Sequence, residues 1–132
     1  MAFVAWSETM STGIAEIDEQ HRTLIGMLND LHDAMISGQG GGKAAEIVER
    51  LVEYAMTHFD LEERLMATAA ASELAAHRAE HEDFKKRIGV FKREVPEWGV
   101  FVSMDMIVFL RDWLTNHIME MDRKDMNRLA GR

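Results

Sequence analysis

Four stretches of this chain repeat an apolar residue every three, four or seven positions. That period fits a helix with one buried face and not a strand, whose faces alternate every second residue. The first stripe is Ile17, His21, Leu24, Leu28, Leu31 and Met35, and the second is Ile47, Leu51, Ala55, His58, Glu62 and Leu65. The third is Leu74, His77, His81, Phe84, Ile88 and Phe91, and the fourth is Ile107, Leu110, Leu114, His117 and Met121. Between them stand Gly38 with GQGGG, the run ATAAAS, and EVPEWG with Pro96 and Gly99, all of them turn chemistry or weak in apolar bulk. Ser72 is expected to cap the third helix. Helices starting near residues 18, 42, 72 and 103 are too short to bury a core alone. They predict an all-α, up-down-up-down four-helix bundle, a single domain over 1–132. Residues 1–16 read as an extended N-terminal arm, anchored by Trp6 and turning near Ser11, Thr12 and Gly13. Residues 17–132 form the bundle and a C-terminal tail from Asp122 to Leu129.

Composition narrows the partners. The formal charge of −8 argues against nucleic acid, which requires clustered Lys and Arg. Cysteine is absent, so disulfides and thiolate metal sites are excluded. No apolar run approaches a membrane span, and the opening MAFVAWSETMSTG lacks the basic flank and apolar core of a signal peptide. The expectation is a cytoplasmic protein with no membrane insertion.

The stripes are not wholly apolar. Five of the six histidines lie on them: His21, His58, His77, His81 and His117. An inward stripe covers roughly three positions in seven, so chance would place all five inward about once in a hundred tries. His32 neighbours Leu31 and reads as a flank residue. Glu62 follows His58 by four residues and shares its face. Asp122 follows His117 by five, and five residues turn an ideal helix by about 500°, which leaves Met121 in register. Asp122 therefore reaches the core only if the helix departs from α geometry between His117 and Asp122, as in a π-bulge. One buried histidine needs only one hydrogen bond. Five imidazoles and two carboxylates with no inward Lys or Arg are costly to bury unless a cation takes their lone pairs.

Imidazole and carboxylate without sulfur suit iron, manganese or zinc. Seven ligands exceed what one ion takes from protein, so two ions sharing the carboxylates are expected. Five imidazoles, two bridging carboxylates and a bridging oxo or hydroxo group occupy eleven of twelve positions and leave one open.

The segments GIAEIDEQHRTL, HFDLEERLM, HRAEHEDF and WLTNHIMEMD resemble the signature segments of the hemerythrin family, in particular its single-domain bacterial members, the bacteriohemerythrins. The resemblance runs over nearly the whole chain. It implies a non-haem di-iron centre that binds dioxygen reversibly. It assigns His77, His81 and His117 to one iron, and His21 and His58 to the other, which keeps the open position. Glu62 and Asp122 would bridge the two irons (Fe2+/Fe3+) with an oxo or hydroxo group. Leu24, Phe59, Trp113, Leu114 and Ile118 correspond to the family's apolar oxygen pocket. One segment departs from the family: MATAAASEL stands where members often carry an aromatic and a proline.

The function expected is oxygen storage or delivery in the cell, with an oxygen-consuming enzyme as a receiving partner. The alternative is a module that senses oxygen, nitric oxide or redox state through a partner protein. An iron-handling or peroxide-processing enzyme would need an acid or base near the open position. The stripes carry none to spare, so no enzymatic activity and no catalytic residue are expected. The absence of a Glu-x-x-His pattern at the stripes also separates the chain from carboxylate-rich oxidase sites.

Overall fold

The structure is a computed structural model and describes residues 3–38, 42–94 and 104–131. Its long elements are α1 (Ala15–Ile36), α2 (Gly42–Ala69), α3 (Ala71–Glu94) and α4 (Met104–Asn116). A π-helical segment, His117–Asp122, continues α4, and α5 (Arg123–Leu129) continues that segment. Asn116 and Arg123, which flank the segment, keep right-handed helical angles. The last three elements are therefore one rod with a widened turn. The bundle is the up-down-up-down arrangement that the stripes imply. No helix among the described residues is long and apolar enough to cross a membrane.

The sequence places most boundaries within a few residues. Gly38 adopts φ +82 and Gly13 φ 85, left-handed values that a side chain resists, and they bracket α1. Helix α1 begins at Ala15 rather than near Asp18. The break between α2 and α3 is a single residue, Ala70, because ATAAAS is rich enough in alanine to stay helical on both sides. Ser72 is not a cap: it lies inside the first turn of α3, and its hydroxyl donates to Glu73 Oε2 at 2.7 Å. Pro96 and Gly99 fall outside the described residues, as does most of GQGGG.

Each stripe does turn inward, with three slips. Ala34, not Met35, is buried on α1, Met66, not Leu65, on α2, and Asp122, not Met121, on the last rod. The large apolar cluster holds Leu24, Leu28, Leu51, Phe59, Phe84, Ile107 and Leu114 among others. A small one holds Ile17, Met66 and Met126, with Leu74 and Leu129 packed against it. Along every long element the polar stripe residues fall between members of these two clusters. On α1, for example, His21 sits between Ile17 and Leu24. The histidines and acids thus form a polar layer with apolar layers on both sides.

The arm is ordered by specific contacts. The Asn29 side-chain amide pairs with both backbone groups of Val4, at 2.9 and 2.8 Å. Phe3 stacks on His32 at 4.2 Å, and the Arg22 guanidinium covers the Trp6 ring at 4.6 Å. Trp6 anchors the arm as expected. A short 3-10 turn at Glu8–Met10 lies beside the π segment, where Arg123 donates to the Thr9 carbonyl at 3.2 Å.

Candidate metal centre

Four helical rods deliver seven side chains to one buried layer. His21 comes from α1, His58 and Glu62 from α2, His77 and His81 from α3, and His117 and Asp122 from the two ends of the π segment. All seven are at most 2% exposed. The π segment brings Asp122 into place, since its wider turn returns residue i+5 to the face of residue i. His117 Nε2 and Asp122 Oδ1 stand 2.9 Å apart.

The two carboxylates divide the imidazoles between them. Asp122 Oδ1 faces His77 Nε2 and His117 Nε2, each at 2.9 Å. Glu62 Oε1 faces His81 Nε2 at 3.2 Å and His77 Nε2 at 3.4 Å. The other two oxygens point to the opposite side. Asp122 Oδ2 lies 2.8 Å from His21 Nε2, and Glu62 Oε2 lies 3.3 Å from His58 Nε2. Two potential cation sites result, one with Glu62, His77, His81, His117 and Asp122, the other with His21, His58, Glu62 and Asp122. In each, the ligating atoms lie within 4.8 Å of one another.

The chemistry of the layer fits a bound cation. His58 Nε2, Glu62 Oε2 and Asp122 Oδ1 are buried and, for all their close approaches, form no hydrogen bond of proper geometry among the described residues, a costly state for polar atoms. His81 Nε2 and His117 Nε2 approach each other at 3.1 Å. Two nitrogens bound at right angles to one ion, with bonds of ~2.1 Å, would be roughly 3 Å apart. With no cation, the charges lean on each other. Burial alone would strip the proton from the imidazoles, but Glu62 and Asp122 outweigh it. They raise His58 to about 9 and His77 to about 10, and push His21 and His117 upward as well. Burial likewise raises the two acids, yet the surrounding imidazoles hold both well below the usual carboxylate range.

A second ring of residues orients the first, and the sequence reading missed it. The His58 Nδ1–H donates to Gln20 Oε1 at 2.6 Å, and His77 Nδ1–H to Asp125 Oδ2 at 2.8 Å. His81 Nδ1–H donates to Glu63 Oε2 at 2.8 Å, and His117 Nδ1–H to Glu80 Oε1 at 2.7 Å. Each such bond fixes the tautomer that leaves Nε2 free for a metal. His21 Nδ1 has no hydrogen-bond partner among the described residues. Three of these residues are sequence neighbours of an inward position: Gln20 of His21, Glu63 of Glu62, Glu80 of His81. A helical neighbour lies about 100° round, on the flank, where it meets the imidazole of the next helix. That adjacency was the available signal.

The five apolar pocket positions divide. Leu24, Phe59, Leu114 and Ile118 are at most 2% exposed, and Phe59 stacks on His81 at 4.0 Å. Trp113 stacks on His117 at 4.8 Å but is only half-buried. It forms part of an open groove of about 500 Å³ beside Asp83, Arg87 and Phe109, and its indole N–H donates to Asp83 at 3.2 Å. Four of the five positions are thus buried, and Trp113 is the exception. His32 is half-buried on the flank, away from the layer.

Comparison with known proteins gives a concordant picture. The family described as "Hemerythrin HHE cation binding domain" matches residues 12–129. A bacteriohemerythrin of Stenotrophomonas maltophilia is 39% identical over 118 residues, covering 89% of this chain and 76% of its own. That of Methylococcus capsulatus is 32% identical, covering 93% and 94%. A solved structure of wild-type hemerythrin superposes with a TM-score of 0.86 at 29% identity, over 98% of this chain and 99% of its own.

Proposed function

The chain belongs to the hemerythrin family, and from that premise we propose that its buried layer is a di-iron centre that binds dioxygen reversibly, for storage or delivery in the cell. His77, His81 and His117 would hold one iron, and His21 and His58 the other, with Glu62 and Asp122 each offering one oxygen to either ion. The observation that carries this reading is the division of each carboxylate, one oxygen toward the three-histidine group and the other toward the two-histidine group.

When bound, the two irons supply two electrons and a single open coordination position for a diatomic ligand. The chain's own residues make the exchange reversible. Imidazoles outnumber carboxylates at the site, so less negative charge reaches the metals than in carboxylate-rich oxidases, and high-valent iron is stabilised less. Leu24, Phe59, Leu114 and Ile118 exclude water, whose protons would otherwise drive loss of reduced oxygen species. Around His21 and His58 no free acid or base is at hand among the described residues. Asp18, three residues before His21, has its carboxylate engaged by Thr12 and Ser11. This supports a binding protein over an enzyme.

The autoxidation rate tests the role. A storage or delivery protein should keep bound oxygen for many minutes before its irons turn ferric. Loss within seconds would instead indicate a sensor or an oxidase, and would overturn the storage role.

A further inference from the structure

The five candidate imidazoles do not have equal support. Those of the three-histidine group are each held by a carboxylate: His77 by Asp125 at 2.8 Å, His81 by Glu63 at 2.8 Å, His117 by Glu80 at 2.7 Å. In the two-histidine group, His58 is held by the neutral amide of Gln20 at 2.6 Å, and His21 Nδ1 has no hydrogen-bond partner among the described residues. Glu62 and Asp122 cannot create this difference, because each gives one oxygen to either side. The groups that accept the Nδ1–H are thus carboxylates around one potential cation site and a neutral amide around the other.

A carboxylate that accepts the Nδ1–H makes the imidazole a stronger donor through Nε2, and adds negative charge near the bound cation. We propose that Glu63, Glu80 and Asp125 are positioning residues that make the two metal sites unequal. The site of His77, His81 and His117 then fills first and holds a divalent cation more tightly than the site of His21 and His58. The proposal rests on the two-metal reading above. Asp125 should contribute most, since its side chain is 3% exposed. Glu63 should contribute least, since Arg78 also binds it, at 3.0 Å.

The test uses Co(II) added stepwise to the metal-free full chain under anaerobic conditions, followed by calorimetry and proton NMR. At one equivalent, three shifted, exchangeable imidazole N–H resonances are expected, from His77, His81 and His117, with further signals only as the second ion enters. Asp125→Asn keeps the shape and removes the charge. It should weaken the first binding step about tenfold or more and leave the second within about threefold. Gln20→Glu, which does not depend on that variant folding, should tighten the second step and narrow the gap. If the gap merely reflects three imidazoles against two, D125N and Q20E will leave it unchanged, and the inference fails. It also fails if the first equivalent produces the signals of His21 and His58. The oxygen-binding reading is tested separately. A chain that orders its cobalt ions as stated, yet shows no oxygen-dependent colour with iron, keeps this inference and loses that function.

Discussion

Asp18 sits one helical turn before His21 and accepts three hydrogen bonds, from the Thr12 backbone N–H at 2.8 Å and the Thr12 and Ser11 hydroxyls at 2.7 and 2.8 Å. Burial alone would raise its pKa, but those donors outweigh it and hold the carboxyl below its ordinary value. A carboxyl depressed in the folded state stabilises fully above its unfolded pKa of about 3.9, and that contribution is lost as pH falls through the folded value. Asp18→Asn should therefore cost about 1.5–3 kcal/mol near pH 7 and flatten the loss of stability below about pH 4. Denaturant titrations of both proteins at pH 7 and pH 3 check this; an unchanged difference at the two pH values would contradict it. At the centre itself, His77→Ala should abolish iron-dependent colour while leaving helix content near that of the parent, as read by absorbance and circular dichroism. Six of the seven inward residues were legible because helical period separates inward from outward; Asp122 lies off that period and required a departure from α geometry after His117. Gln20, Glu63, Glu80 and Asp125 were not, because a flank acid or amide looks in sequence like any solvated position until the neighbouring helix is in place.

The π segment is the element on which the layer turns. The count of five from His117 to Asp122 revealed it, because an α-helix would present Met121 instead. What the count could not show is the lock downstream. Met126 is fully buried against Ile17 and Met66, and Asp125 bonds His77. Relaxing the bulge to α geometry would rotate both away. Burial of a Met side chain is worth about 1.5–3 kcal/mol, and a hydrogen bond to a charged group about as much, so the widened turn is held by several kcal/mol. The paired substitution Met121→Asp with Asp122→Met places the acid where a regular helix would need it. The lock predicts that this variant folds but loses at least one metal by elemental analysis. Retention of two would mean that the register is free to shift. Helix ends were harder to read than helix faces. An alanine-rich run such as ATAAAS is compatible with helix or turn, and the single break at Ala70 is decided by tertiary packing.

Across the molecule, every rod of the bundle contributes to one polar layer held between two apolar clusters, so the cation and the fold support each other. The all-α bundle was legible from the four stripes, since no other architecture buries all of them in so short a chain. Metal binding should add about 2.7 kcal/mol per ion at a hundredfold excess over Kd. Two ions then correspond to a fall in Tm of about 20 °C on removal. The metal-free chain should also respond to alkali. His58 and His77, raised to about 9 and about 10, contribute stability that is complete below their unfolded pKa of about 6.5 and lost as pH rises through the folded values. Scanning calorimetry from pH 6 to 10 should show the metal-free Tm falling while the iron-loaded Tm stays flatter; parallel curves would contradict the account. Most directly, iron should be counted in the purified protein and its visible spectrum followed through cycles of degassing and air. The account predicts two irons per chain and a charge-transfer colour that fades without oxygen and returns with it. A single iron, or a colour indifferent to oxygen, would contradict it.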